Sequence, residues 1–87
     1  MKAKKASLRS KASELAGWYG AGAILAAYAL VSTGVLLPNS WQYQLLNLTG
    51  SLGILAISLA RRATQPAVLN IVWAAVAFVA LVGLMIK

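Results

Sequence analysis

The residues that usually carry chemistry are almost missing from this chain. It has no cysteine and no histidine, and Glu14 is its only carboxylate side chain. A metal centre needs several His, Cys or carboxylate ligands, and nucleophilic or general acid–base catalysis needs a titratable group beside its target. No such set can be assembled here, so no catalytic, metal-binding or cofactor-binding residue is assigned and no enzyme activity is expected. Disulfides are excluded by the cysteine count. Phosphate-binding glycine signatures are absent, since the glycines fall inside apolar runs.

The remaining polar candidates are neutral and sit among apolar residues: Tyr28, Ser32, Asn47, Ser51, Ser58, Asn70 and Trp73. Tyr28 and Ser32 are one helical turn apart, as are Asn47 and Ser51, so each pair shares a face. Such groups serve either as interhelical hydrogen bonds, worth about 0.6 kcal/mol each and up to about 2, or as the lining of a path for a small neutral solute.

The elements that must position them are membrane spans. The chain of 87 residues is 61% hydrophobic and 10% charged, and a soluble domain this small would leave much of that apolar surface in water. The charges leave two uncharged stretches, Leu15 to Ala60 and Ala63 to Ile86. A span takes about 20 residues, so the first stretch holds two and the second holds one. Pro38 breaks the longer stretch, with Asn39 or Ser40 able to cap the second helix. Arg61-Arg62 and Thr64 with Pro66 form the second break.

The expected organisation is therefore all-α: a tail at 1–14, transmembrane helices at 15–37, 41–60 and 66–86, a turn at 38–40 and a loop at 61–65, forming an up-down-up bundle. The first apolar run is too long for a cleaved signal core and is expected to be retained. The tail and the second break carry seven of the eight basic residues, which places both in the cytoplasm with the C-terminus outside. The basic tail spaces Leu8, Ala12 and Leu15 on one helical face. It reads mainly as a topology signal in a partly disordered leader, with lipid-headgroup binding as the alternative. Its lack of aromatic residues argues against a nucleic-acid partner.

Folding about the two breaks pairs Tyr28 with Ser51, Ser32 with Asn47, Ser58 with Asn70 and Ile54 with Trp73. Gly20, Ala23, Ala27 and Gly34 form a small-residue stripe on the first helix, and Asn70, Ala74 and Ala77 form one on the third. At least one stripe is expected to stay outside the monomer and to support a homo-oligomer, most simply a dimer, or docking to a larger membrane complex. Trp18, Tyr19, Trp41 and Tyr43 read as anchors at span ends.

The segments Gly17-Trp18-Tyr19-Gly20, AYALVSTG at 27–34, YQLLNLTG at 43–50 and PAVLNIVW at 66–73 resemble a widespread family of small bacterial membrane proteins without assigned activity, some of them labelled permease-like. The resemblance covers about residues 17 to 80. It implies a three-helix fold in the bacterial inner membrane and carries over no catalytic residue. A fold-level similarity to the SemiSWEET (PQ-loop) sugar facilitators matches Asn70 in position, but lacks their Pro-Gln motif in the first helix and their tryptophan on the second. The functional expectation is a structural or accessory membrane protein, the alternative being a homo-oligomeric, permease-like facilitator for a small neutral solute.

Overall fold

In the computed structural model the backbone is described for residues 2–86 and the side chains for residues 10–86. Three helices succeed one another: α1 (Lys2–Ser32), α2 (Trp41–Ala60) and α3 (Thr64–Met85). Each contains a segment long and apolar enough to cross a membrane, namely Ser10–Ser32, Trp41–Ala60 and Thr64–Met85.

The first helix differs from its expected 15–37 at both ends. It continues without a break through the basic segment because residues 2–16 are rich in Ala, Lys, Leu, Arg and Glu, which all favour helix, and contain neither Gly nor Pro. Its 31 residues extend for about 46 Å, against about 30 Å of bilayer hydrocarbon. A helical tail therefore replaces the expected partly disordered leader. The apolar face proposed through Leu8 lies outside the described side chains.

At its other end α1 stops at Ser32, five residues early. Gly34 adopts φ 81, its N–H donates to the Val31 carbonyl at 3.1 Å and the Val35 N–H donates to the Leu30 carbonyl at 2.9 Å. These two bonds make a Schellman cap, which glycine enters without steric cost. Gly34 is thus the end of the helix and not part of a packing stripe. The connection spans 33–40 instead of three residues, and Ser40 starts α2 by accepting the Tyr43 N–H at 3.3 Å.

The same cap closes α2. Arg62 N–H donates to Leu59 O at 3.2 Å and Ala63 N–H to Ser58 O at 2.8 Å, with Arg62 held at φ 55. A non-glycine residue in this region costs about 1–2 kcal/mol. Thr64 was the expected cap of the third helix, but it is already helical. The N-cap is Ala63, which offers no side-chain bond.

α2 packs closely against both other helices. Among the described residues no Cα of α1 comes within 8 Å of one in α3, so the tight backbone packing of the bundle is confined to the two hairpins. Between α1 and α2 the contact is made by glycines. A Cβ built on Gly53 would collide with the Ala16 carbonyl oxygen, and one built on Gly20 would collide with the Gly50 carbonyl oxygen and lie 2.9 Å from the Ile54 nitrogen. Backbone therefore meets backbone, the arrangement that replaces hydrophobic drive in lipid.

Both small-residue stripes are covered in this arrangement. Gly20, Ala23 and Ala27 are buried, as are Ala67, Asn70, Ala74 and Ala77. The expectation that one of them stays outside fails for a geometric reason: α2 has two neighbours and takes one stripe on each side. What the flanking helices turn outward is mainly large and aliphatic, such as Leu25, Leu69, Val76 and Val79.

A polar groove on the central helix as the candidate functional site

The polar candidates divide into two groups. Tyr28 and Ser32 on α1, Asn47 on α2 and Trp73 on α3 border one cavity of about 350 Å³, together with Ile24, Val31 and Tyr43. The backbones of α1 and α3 stay more than 8 Å apart among the described residues, which leaves room for it beside α2. A second cavity of about 440 Å³, between α2 and α3, shares Tyr43, Asn47 and Trp73 with the first.

Asn47 holds the floor in place. Its Nδ2 donates to the Tyr43 carbonyl at 2.9 Å, and its Oδ1 accepts the Trp73 indole N–H at 3.1 Å. The first bond fixes which way the amide points, since the donor is committed to its own helix and the acceptor is left for the neighbour. An indole N–H and an amide unpaired in hydrocarbon would each cost several kcal/mol, so the pair is the polar link between α2 and α3.

This link was not the one expected. Asn47 meets Trp73 and not Ser32, because the longer 33–40 connection moves α1 along α2. Tyr28 is exposed and does not bond Ser51. Asn70 donates to the Pro66 carbonyl at 2.9 Å, within its own helix, and no hydrogen bond joins it to Ser58. The Asn70 amide reaches this carbonyl because helical side chains tilt toward the N-terminus and so lie over the carbonyl one turn back, where a polar side chain adds a second donor.

Ser51 and Ser58 share the Asn47 face of α2 and are buried. Ser51 is fully covered and its hydroxyl has no hydrogen-bond partner. The residues set aside as anchors also divide. Tyr19 reaches the Thr49 hydroxyl at 2.7 Å, and because Thr49 spends its own proton on the Leu45 carbonyl at 2.9 Å, Tyr19 is the donor. It is an interhelical clasp and not a headgroup anchor. The signal was present in the sequence as glycines three apart on both helices, Gly17 with Gly20 and Gly50 with Gly53, which bring α1 close enough for that reach.

At the opposite end of the molecule the Arg61 guanidinium pairs with the Glu14 carboxylate, both sides partly exposed. Among the described residues no group of three or more His, Cys, Asp or Glu is placed to hold a metal ion.

Fold and site together define a small all-helical protein with three helices built to cross a membrane and uncharged polar residues on the central one. The chain belongs to an uncharacterised protein family, whose match covers residues 13–87. The first twelve residues, with most of the tail's charge, fall outside that match. No curated protein and no solved structure matches the chain, so the similarity to SemiSWEET facilitators finds no support in these comparisons.

Proposed function

We propose that this chain is a structural or accessory protein of the bacterial inner membrane, with no enzyme activity and no nucleic-acid partner. It crosses three times, up, down and up. The N-terminus and the 61–63 turn face the cytoplasm and the 33–40 connection and C-terminus face outward. The orientation rests on the basic residues, seven of the eight falling on one side. The pairing of Glu14 with Arg61 is consistent with the tail and that turn sharing a side.

The observation that carries the accessory reading is the use made of Asn47, Trp73, Tyr19 and Thr49. Their hydrogen bonds link α2 to α3 and α1 to α2, as expected of groups that join helices. A protein of this kind works by presenting a surface to other membrane components. For self-association the surface we assign is the outer face of α1, where Gly22, Ala26 and Ala29 are exposed and a Cβ on Gly22 meets nothing within 4 Å. Crosslinking at low protein-to-lipid ratio should capture a dimer that Ala26→Leu abolishes, and a monomer insensitive to that change would remove self-association.

A second reading, a facilitator for a small neutral solute, draws on the cavity bordered by Tyr28, Ser32, Asn47 and Trp73. It requires a second copy to close the cavity, which three helices border without enclosing. Uptake of a panel of neutral solutes into proteoliposomes separates the two readings. No flux above empty vesicles supports the accessory role, and saturable flux lost in Asn47→Leu overturns it. Single cysteines at Ser7, Asn39 and Thr64 test the orientation. An impermeant thiol reagent should label only Asn39 in intact cells, and labelling at Ser7 would reverse it.

A further inference from the structure

We propose that the groove between α1 and α2 at the Arg61 end is a binding site for an anionic glycerophospholipid, with an acyl chain along the groove and the phosphate against the Arg61 guanidinium. The groove has a volume of about 340 Å³ and is walled by Gly17, Trp18, Ala21, Ile54 and Ile57, with Glu14 and Arg61 at its charged end. Its body is apolar, and its one cation stands where the apolar wall stops. That is the pattern of a lipid, and a free anion would have no use for the apolar part.

Charge selects the headgroup. Seven of the eight basic residues belong to this end of the molecule and are opposed there by Glu14 alone. Basic pockets between helices at a charged membrane surface select anionic headgroups. Glu14 does not exhaust Arg61, because a guanidinium has five N–H donors in a planar fork and the Arg61 side chain remains 64% exposed. The carboxylate instead holds the guanidinium over the groove. Trp18, 74% exposed, stands one turn beyond Glu14 and gives the chain a flat wall at the depth where indoles favour the membrane interface. The site needs only a bilayer, and it stands whether or not the accessory reading or the orientation does.

The experiment is native mass spectrometry of the full chain released from mixed micelles holding equimolar phosphatidylglycerol and phosphatidylcholine of matched acyl chains. Phosphatidylglycerol adducts should exceed phosphatidylcholine adducts about five-fold, the factor one basic side chain contributes at a membrane surface. Arg61→Gln and Ala21→Phe, which remove the cation and fill the groove, should each bring the ratio near one. The triple change Lys2→Gln, Lys4→Gln, Lys5→Gln should leave most of it. Glu14→Gln frees the guanidinium without removing it and should raise the ratio, which keeps the test decisive if Arg61→Gln fails to fold. Equal adducts in the wild-type chain would overturn the site. So would a preference that survives Arg61→Gln or Ala21→Phe, one that disappears with the three tail lysines, or one that Glu14→Gln lowers or leaves unchanged. Displacement of phosphatidylglycerol by excess inorganic phosphate would overturn the lipid assignment in favour of a free-anion site.

Discussion

Replacing Gly53 by alanine adds one methyl group at the point where α1 and α2 touch through their backbones. The new Cβ would overlap the Ala16 carbonyl oxygen and lie 3.3 Å from the Gly20 Cα. Neither is the tip of a side chain that can swing aside, so α1 must withdraw by about 1 Å to restore an ordinary contact. That movement stretches the 2.7 Å bond between Tyr19 and Thr49 beyond useful length and loosens the Gly20–Gly50 approach. Overpacking against backbone, which cannot swing aside, falls at the upper end of the usual range, about 2–3 kcal/mol, and the better helix propensity of alanine returns about 1. The net loss is about 1–2 kcal/mol, a fall in the folded-to-unfolded ratio of about 5- to 30-fold. Reversible unfolding in mixed micelles, tracked by helix content and tryptophan emission, measures it. Gly22→Ala and Gly83→Ala are the controls, since nothing lies within 4 Å of a Cβ at either, and both should be neutral. A Gly53→Ala chain as stable as the wild type would refute the backbone contact.

The same packing sets three further outcomes. Ser51→Ala should leave stability unchanged or raise it by up to about 1 kcal/mol in the same unfolding assay, because it removes a covered hydroxyl without a partner; a loss would mean that the hydroxyl is bonded. A double-mutant cycle of Asn47→Leu with Trp73→Phe should return a coupling of about 0.6–1.7 kcal/mol for the 3.1 Å link, and zero coupling would place the two side chains apart. Arg62→Gly should stabilise the chain by about 1 kcal/mol by relieving the φ 55 backbone, and destabilisation would show that the arginine side chain outweighs the strain.

Three apolar helices were legible because charge and proline divide the sequence into stretches of the right length. The break at Pro38 with Ser40 before Trp41 marks where α2 begins. The end of α1 was hidden, because Val35, Leu36 and Leu37 extend the apolar run past Gly34 and composition alone cannot separate a span from the loop that leaves it. Misplacing that end by five residues shifts the α1–α2 register, which puts Tyr28 and Ser32 opposite Ser51 and Asn47. The pairing of Trp73 with Ile54 comes instead from the second break, and the indole reaches Asn47, two turns away along α2. Asn70 was misread for another reason: a membrane asparagine can bond the carbonyl four residues back as readily as a neighbouring helix, and spacing does not tell the two apart. Four of the seven polar residues singled out, Tyr28, Ser32, Asn47 and Trp73, nevertheless border one cavity. That grouping survives the register error because Tyr28, Ser32 and Asn47 lie toward the 33–40 end of their helices and Trp73 lies near the middle of α3.

Among the described residues only α2 has close backbone neighbours on two sides, which gives the three helices unequal standing. Away from the Gly22, Ala26 and Ala29 face assigned to self-association, a change on the outward side of either flanking helix meets no other part of the chain. A change on α2 is judged by two neighbours, one that tolerates nothing larger than glycine at Gly50 and Gly53 and one that needs an acceptor at Asn47. In a saturation mutagenesis of the whole chain, sensitivity should therefore form one narrow stripe on α1, one on α3 and two on α2. Relatives should be able to exchange nearly every outward residue of the flanking helices while the middle helix stays almost fixed, so ancestry in this protein would be recorded chiefly in twenty residues.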